Sequence, residues 1–227
     1  MDLQRISDPL TQQQKLAVVS IDALKLHQRV AEDDEDVLIG DLLEAAYDYL
    51  SGPEGWLNGH CILEESFELY VDTIGTRLEL PIRRFADGDL VSVERIDLAT
   101  GQYEDLDAGL YTVVREDDYG VIVSLSGLAL AERERFWRGL DWNAHVARWT
   151  SPPALKPRLY RIRFAAGAKS AALVPSPLKQ AIKMIAGYWY EKRESIESDP
   201  RTQALPENLT IGIGRLAGRY RVAADHS

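Results

Sequence analysis

A run of carboxylates, Glu32-Asp33-Asp34-Glu35-Asp36, carries the most obvious potential metal ligands in the sequence. Hard cations such as Ca²⁺ bind carboxylate oxygens, but an EF-hand loop also needs a central glycine and a distal glutamate, which this run lacks. The alternative is an acidic turn before a helix, where carboxylates interact favourably with the helix dipole. We expect the acidic turn and no metal site.

His60 and Cys61 are adjacent, and a thiol beside an imidazole is an arrangement that could support nucleophilic catalysis. Such catalysis needs a base that a third group orients, and no local motif supplies one. We therefore interpret the pair as the start of a strand. The other histidines show no metal-ligand spacing such as HExxH, so the sequence predicts no zinc site. They are His27, His145 and His226.

The segment Gly212-Ile213-Gly214-Arg215-Leu216-Ala217 matches the pattern GxGxxA of dinucleotide-binding turns. That turn follows a strand, opens a helix and is completed by an acidic residue about 20 positions further on. The sequence after Gly214 is too short for such a βαβ unit. We expect no nucleotide cofactor.

Charged residues outside these motifs leave two further possibilities open. Glu64, Glu65 and Glu68 fall on a predicted strand and could serve a carboxylate-based hydrolase. A basic segment could bind phosphate or a partner's acidic surface, while its interleaving with Glu132 and Glu134 is equally typical of a solvated face. Its basic residues are Arg133, Arg135, Arg138, Arg148, Lys156, Arg158, Arg161 and Arg163.

Composition narrows the class of protein. The net charge of −10 disfavours duplex DNA binding driven by general electrostatics. Cys61 is the one cysteine of the sequence, which excludes an internal disulfide and fits a reducing compartment. No apolar run is long enough to span a bilayer, and the N-terminal residues are too polar for a signal peptide. We expect a globular cytoplasmic protein.

The helix predicted over Pro177–Glu194 is the most strongly periodic element. Its apolar residues recur at steps of three and four, which is typical of a helix with one buried face. Ser176 is the predicted N-cap, Pro177 the first helical residue, and Lys192 and Arg193 the last turn. The expected buried residues are Leu178, Ala181, Ile182, Ile185, Ala186 and Trp189.

Two further helices are predicted near the N-terminus, after a flexible arm over residues 1–16 that we expect to have no role in the fold. Ser20 caps the first, with Ile21, Leu24 and Leu26 as its apolar residues. The second carries Val37, Leu38, Leu42, Ala45, Ala46 and Tyr49 on one broad face. Ser51-Gly52-Pro53 ends it.

The middle of the sequence changes to a period of two, which indicates antiparallel strands with hairpin tips at Thr100-Gly101 and Asp118-Tyr119-Gly120. Residues 127–157 are predicted to form a partly helical excursion from the sheet, and Leu209–Val222 a last short segment. The predicted strands are Cys61–Val71, Arg77–Ile82, Leu90–Asp97, Leu110–Arg115, Gly120–Leu125 and Arg158–Ala165.

These elements predict an α+β fold. A small helical bundle, built from helices within 20–50 and 176–222, surrounds a β-rich antiparallel insertion over 61–165. We expect a single domain over residues 17–222, followed by a short tail over 223–227.

Three segments, in this order, resemble the head-tail connector, or adaptor, proteins of long-tailed phages and gene transfer agents. PSPLKQAIKMIAGYWYEKRE resembles the family pattern I-x-x-A-I-L-x-L-x-A-x-W-Y-E-x-R-E after a proline. VVSIDALKLHQRVAEDDEDVLIGDLLEAAYDYL is similar to its opening V-S-L-x-E-x-K-x-H-L-R-V with an acidic turn and a helix, and RLAGRYRV to its closing L-L-x-P-Y-R. The residues that match the helix pattern are Ala181, Ile182, Ala186, Trp189, Tyr190, Glu191, Arg193 and Glu194.

The resemblance covers most of residues 17–222 and has three departures. Gly187 stands in mid-helix where the family has Ala or Val, at a cost of about 1 kcal/mol unless close packing compensates. Gly218 replaces the usual proline. The stretch from Gly127 to Pro157 is longer than in compact members of the family.

The resemblance implies a structural protein of a particle neck, not an enzyme, assembled in the bacterial cytoplasm. Such a protein forms a ring, twelvefold in the particle, below the portal protein and receives neck stopper or tail proteins. DNA passes through the ring without sequence-specific binding, and no cofactor or membrane is involved. The alternatives are a neck stopper or tail terminator protein and, from another class, the carboxylate-based hydrolase.

The resemblance also implies two sets of contact residues. The closing segment would dock on the portal, through Leu209, Ile211, Leu216, Arg219, Tyr220, Arg221 and Val222. A ring needs contacts between different patches of neighbouring subunits, and surface aromatic residues are candidates for them. The candidates for subunit or neck contacts are Trp137, Trp142, Tyr188, Tyr190 and Arg193.

Overall fold

The computed structural model describes residues 2–74, 78–82, 91–97, 100–116, 120–125, 158–192 and 205–221. The chain divides into two compact units, where the sequence analysis predicted a single domain over 17–222. The sheet unit comprises Met1–Ser7, Glu65–Leu80 and Asp87–Ala165. The helical unit comprises Asp8–Glu64, Pro81–Ala86 and Ala166–Ser227. Helices and antiparallel sheets together confirm the predicted α+β class.

The helical unit is built around one long helix that packs against several others. The described helices are α1 (Gln12–Leu16), α2 (Ile21–Gln28), α3 (Asp36–Leu50), α4 (Ser176–Glu191) and α5 (Glu207–Ala217), with a 3₁₀ turn over Gly218–Tyr220. Helix α4 packs against α2, α3 and α5, and α3 also packs against α1 and α2. The core of the unit therefore lies around α4, which the periodicity of the sequence predicts.

Helix α4 confirms the predicted buried face. Leu178, Ala181, Ile182, Ile185, Ala186 and Trp189 are all buried. The predicted N-cap is wrong, because Ser176 is the first helical residue and Pro175, in extended conformation, precedes it without a side-chain cap. Pro177 remains compatible with the helix, since the first-turn N–H groups have no intrahelical acceptor. Lys192 follows the helix as its C-cap.

Helices α2 and α3 confirm the predicted elements but not all of the predicted apolar faces. Ser20 caps α2, its Oγ accepting a hydrogen bond from the Ala23 N–H at 3.2 Å. Leu24 is buried, whereas Leu26 is 83% exposed, because two positions correspond to about 200° around a helix. In α3, Leu42 is buried and Val37 is 79% exposed, five positions or roughly 140° away.

The end of α3 is fixed by side-chain contacts with the loop that follows. As predicted, the helix stops before Ser51-Gly52-Pro53. The Ser51 Oγ accepts a hydrogen bond from the Ile62 N–H at 3.0 Å, and the Tyr47 hydroxyl accepts one from the Leu63 N–H at 3.0 Å. These two main-chain N–H groups are thus bound by Ser51 and Tyr47, and the strand predicted from Cys61 begins only at Glu65.

The N-terminal residues have a role in the fold, so the predicted flexible arm over 1–16 is wrong. Strand β1 (Asp2–Arg5) pairs antiparallel with β2 (Glu65–Val71), with Leu3 opposite Leu69. A capping box at Thr11 then starts α1. Main-chain pairing and a capping box need no apolar periodicity, which is why the polar sequence did not indicate them.

The sheet unit contains two described sheets. Besides β1 and β2, the strands are β3 (Leu78–Glu79), β4 (Val91–Ile96), β5 (Tyr103–Asp105), β6 (Tyr111–Glu116), β7 (Gly120–Leu125) and β8 (Tyr160–Ala166). One sheet has the order β1-β2-β8-β4-β5 and the other the order β3-β7-β6. Every predicted strand after the first has a counterpart, although β3 is shorter than the predicted Arg77–Ile82.

Both predicted hairpins occur. β4 and β5 pair antiparallel around the turn at Thr100, whose Oγ1 donates a hydrogen bond to Asp97 at 2.8 Å. β6 and β7 pair antiparallel up to Glu116 opposite Gly120. Asp118 and Tyr119, and the whole predicted excursion over 127–157, lie outside the described residues.

Candidate docking surfaces

The carboxylates proposed for a hydrolase lie at the start of β2 and within it. Glu64 is exposed. Glu65 is buried and forms an ion pair with Arg5 at 3.0 Å. Glu68 accepts hydrogen bonds from the Arg163 Nε–H at 2.7 Å and from the Tyr70 hydroxyl at 2.6 Å. Two of the three carboxylates are therefore occupied by cationic partners on neighbouring strands.

Glu68 belongs to an ionic network that crosses three neighbouring strands, β2, β8 and β4. The Arg161 Nε–H donates a hydrogen bond to Glu94 at 2.7 Å, and Arg163 lies 3.1 Å from the second Glu94 oxygen. Arg161 also lies 3.8 Å from Glu68. The Glu94 side chain is only 4% exposed, and both of these arginines form ion pairs with it.

The contacts in this network favour the ionised forms of Glu68 and Arg161. Burial raises the pKa of Glu68. Hydrogen bonds from Tyr70 and Arg163 and the charges of Arg161 and Arg163 lower it by more, so the pKa of Glu68 lies below its ordinary value. Burial lowers the pKa of Arg161, while its hydrogen bonds to Glu94 and Tyr70 raise it overall. A general acid needs a raised carboxyl pKa, so these contacts favour a structural network.

The other chemical motifs occupy structural positions. His60 and Cys61 are fully buried, and the His60 ring meets the Tyr220 ring edge-on with centroids 5.7 Å apart. The GxGxxA segment lies within α5, where its glycines are helical and form no phosphate-binding turn. Among the described residues, no three His, Cys, Asp or Glu side chains are grouped so that they could hold a metal ion.

The predicted portal-docking segment forms α5 and the 3₁₀ turn, and only part of it is exposed. Leu209 and Leu216 are half-buried, whereas Ile211, Arg219 and Arg221 are exposed. Tyr220 is buried, so any contact of its ring with a partner would require the segment to leave the helical unit. Val222 lies outside the described residues.

Aromatic contacts hold the end of this segment on its own unit. The Arg219 guanidinium lies 4.6 Å from the centroid of the Tyr220 ring, which in turn contacts His60. The Arg221 guanidinium lies 5.0 Å from the centroid of the Trp56 ring. Cation–π contacts of this kind leave the other face and edges of a guanidinium accessible to a partner.

Arg215 is an exposed residue of this segment that is not among the predicted docking residues. Ile211, Arg215 and Arg219 follow one another at steps of four, so they share one face of the segment, which we name the basic face. All three are exposed. The step of four was visible in the sequence, but Arg215 lay within the GxGxxA pattern and was considered only as part of that motif.

The aromatic residues at the end of α4 are mostly part of the core. The Trp189 ring is buried edge-on against Tyr49, with centroids 6.1 Å apart. Tyr190 is also buried, and its hydroxyl donates a hydrogen bond to the Glu35 carboxylate. Tyr188 is half-buried. The other predicted contact residues, Trp137, Trp142 and Arg193, lie outside the described residues.

A contact with α2 accounts for glycine at position 187, where the family pattern has Ala or Val. A Cβ at this position would collide with the side-chain amide of Gln28, at the end of α2. The missing side chain therefore leaves room for the Gln28 amide beside α4.

A second exposed surface lies where α2 leads into α3. Lys25 binds Asp33 and, at 2.9 Å, Asp36, so the ends of the two helices are held together. Hydrogen bonds to Asp33 and Asp36 raise the Lys25 pKa well above its usual range. Leu26 directly follows Lys25 in the chain and Val37 directly follows Asp36, and both are exposed. The acidic corner, as we name this surface, comprises Leu26, Glu32, Asp33, Asp34 and Val37.

Comparison with solved structures places this architecture among known ones. Its fold is similar to that of chains in gene transfer agent particles. A chain from the neck of an empty particle, computed with C6 symmetry, has a TM-score of 0.61 and 20% identity, with 100% of this chain and 99% of that chain covered. A chain from the virion of a native particle gives the same TM-score, identity and coverage. A chain from a native neck computed with C12 symmetry has a TM-score of 0.55 and 21% identity, with 100% of this chain and 99% of that chain covered.

Comparisons at the level of sequence are negative. No protein-family model and no curated protein matches the chain. At 20–21% identity, the likeness to the solved structures shows the fold alone. Within the parts of the chain that the structure describes, none of the helices has the length and apolar character needed to cross a membrane.

Proposed function

We propose that this protein is a structural component of the neck of a phage or gene transfer agent particle, namely its head-tail adaptor. The observation that carries the proposal is the fold likeness to neck and virion chains over 100% of this chain and 99% of those chains. The resemblance of α4, of the opening helices and of the closing segment to adaptor proteins supports the finer assignment. Assembly takes place in the bacterial cytoplasm, and the protein acts in the particle neck.

In this role the protein forms a ring below the portal protein, twelvefold in the particle, and receives a neck stopper or tail protein. Two of the similar structures are necks computed with C6 and C12 symmetry, which supports a cyclic arrangement. DNA passes through the centre of the ring. A net charge of −10 suits a conduit, because an acidic lumen does not retain a sliding phosphate backbone.

The proposed portal contact uses the closing segment, and a deletion tests it. Removing residues 209–222 abolishes the joining of tails to filled heads, as counted by electron microscopy of particles. Because this deletion also removes the buried Ile213 and Tyr220, Arg221→Glu serves as a second variant that changes an exposed side chain. Particles of both variants that carry tails and transfer DNA as efficiently as the wild type would refute the portal contact.

Particles lacking the protein separate the adaptor from its alternatives. Loss of an adaptor leaves portal-bearing heads without any attached neck. Loss of a neck stopper leaves a partial neck, and loss of a tail terminator leaves heads beside tails of uncontrolled length. A hydrolase would leave complete particles, and its gene would not need to lie between the capsid and tail genes. Complete particles formed without the protein would overturn the proposed function.

A further inference from the structure

The acidic corner exposes two large apolar side chains, those of Leu26 and Val37. Leu26 and Val37 are the most exposed large apolar side chains of the described residues, at 83% and 79%. Exposed apolar residues occur singly on many proteins, but Leu26 and Val37 directly follow Lys25 and Asp36, whose ion pair holds the two helix ends together. An exposed apolar surface next to charge is typical of a contact site rather than of a solvated corner.

The turn between these two apolar residues carries several carboxylates, and only some of them are paired with Lys25. Asp33 and Asp36 bind Lys25. Glu32 and Asp34 are exposed, and neither forms an ion pair with a described residue. The surface therefore fits a partner that presents an apolar side chain next to cations.

The basic face presents that chemistry on the same chain. Ile211 is 49% exposed, and Arg215 and Arg219 lie one and two turns further along. Neither arginine forms an ion pair with a described carboxylate, in a protein whose net charge is −10. Two arginines at steps of four after an exposed isoleucine, neither in an ion pair with a described carboxylate, match the acidic corner in both charge and apolar character.

We infer that the basic face of one copy docks on the acidic corner of the next copy. A closed ring requires a heterologous interface, in which two different patches of one chain meet their counterparts on the two neighbours. The acidic corner and the basic face are such a complementary pair. Ile211 and Val37 form the apolar centre of the contact, and Arg215 and Arg219 face Glu32 and Asp34.

This inference rests on the ring in the proposed function and divides the closing segment between two partners. The basic face, including the predicted portal-docking residues Ile211 and Arg219, contacts the neighbouring copy. Leu209, Leu216, Arg221 and Val222 remain for the portal. Ile211 and Leu209 lie about 160° apart around α5, so one helix can serve both contacts.

Disulfide cross-linking of the concentrated full-length protein tests the contact. The variant with Val37→Cys and Ile211→Cys, oxidised with copper phenanthroline, yields a ladder of trimers and larger species on non-reducing gels. Each single variant exposes one new thiol, since Cys61 is buried, and so stops at dimers. Val37→Cys with Leu173→Cys is the matched control, because Leu173 is exposed in the same unit but outside both surfaces. Its ladder is about tenfold weaker.

Charge reversal in the cysteine pair supplies an independent test. Arg215→Glu weakens the ladder at least about tenfold, because like charges then face each other. Adding Asp34→Lys restores it, and raising the salt concentration weakens the wild-type contact. Arg95→Glu, an exposed arginine of the sheet unit, leaves the ladder unchanged.

Each outcome bears on one of the two proposals. A ladder from the Leu173 pair equal to that from the Ile211 pair, or no ladder at all, overturns the ring contact. Unchanged cross-linking after Arg215→Glu does so as well. If Arg215→Glu blocks head joining but not cross-linking, the basic face belongs to the portal and the inference fails while the adaptor stands. Cross-linking in a protein that particles do not need would instead refute the adaptor alone.

Discussion

At the scale of single residues, several charged residues and glycines of the described chain make structural contacts within the fold. Glu68 and Glu94 lie between two arginines of β8, and His60 is packed against Tyr220. Periodicity could predict which side chains of α4 are buried, since a single helix determines that face. It could not predict that Glu94 is buried, because its partners Arg161 and Arg163 come from a strand far along the sequence.

Gly167 is a residue where the backbone leaves no room for a side chain. It has φ +117°, and a Cβ there would overlap the Leu63 carbonyl. Gly167→Ala therefore lowers the free energy of unfolding by about 3 kcal/mol or more. Urea denaturation measures the change.

Gly214→Ala is the matched control for that substitution. Gly214 lies in α5 with no other atoms close to the position of its Cβ. Alanine there raises the free energy of unfolding by up to about 1 kcal/mol through helix propensity. Equal effects of the two substitutions would contradict the backbone contact at Leu63.

The pKa of Glu68 gives the stability a predictable dependence on pH. Burial raises this pKa, but Tyr70, Arg163 and Arg161 lower it overall, below its ordinary value of 4.5. A carboxyl whose pKa is lower in the folded chain stabilises the fold above its unfolded pKa and loses that contribution as the pH falls through the folded value. Glu68→Gln therefore reduces the free energy of unfolding at neutral pH, and the difference from the wild type shrinks below about pH 4.5.

Urea denaturation of both proteins between pH 3 and pH 7 measures this difference, with the pH range set by the ordinary carboxyl pKa of about 4. Glu64→Gln is the control, because Glu64 is exposed and directly precedes the same strand. A difference that grows as the pH falls would show that Glu68 is protonated more readily in the folded chain, against the direction given by its arginine partners.

At the scale of elements, alternating and helical periodicity predicted most strands and helices, since each such pattern is local. Where the sequence fails, the element depends on a distant partner. Strand β1, which was missed, has no apolar period and exists through its pairing with β2. Strand β3, which was predicted too long, pairs with β7 over two residues only. The exposed Leu26 and Val37 likewise show that apolar residues in a helix need not face its core.

Deletion of residues 2–5 tests the contribution of β1. It leaves β2 as a sheet edge and removes two ionic contacts, between Asp2 and Arg158 and between Arg5 and Glu65. We expect a loss of about 1–3 kcal/mol in the free energy of unfolding and a greater tendency to aggregate, because an unpaired edge can recruit another strand. Urea denaturation and light scattering measure the two effects.

The double substitution Asp2→Asn with Arg5→Gln is the control for that deletion. It removes the same charges but keeps the main-chain pairing of β1 with β2. Aggregation of this variant to the same extent as the deletion would mean that the charges, and not the strand, protect the edge of β2.

At the scale of the whole molecule, two units are formed from interleaved stretches of the chain. The sheet unit takes Met1–Ser7 from the N-terminus as well as the middle of the sequence. The helical unit joins α1, α2 and α3 to α4 and α5 across that middle. The α+β class, with helices before and after a strand-rich middle of the sequence, was predictable from the order of the patterns. The division into two units was not, because it depends on long-range contacts.

The net charge of the molecule leads to the last prediction, that the full-length protein does not hold duplex DNA. At a net charge of −10 the protein as a whole repels the phosphate backbone, although the basic face is locally attractive. Fluorescence anisotropy with a labelled duplex at physiological salt therefore shows no saturation up to about 10⁻⁴ M protein. The variant with Arg215→Ser and Arg219→Ser weakens any binding that appears at low salt. Tight binding at physiological salt would mean that the protein retains DNA, which is incompatible with the proposed DNA conduit.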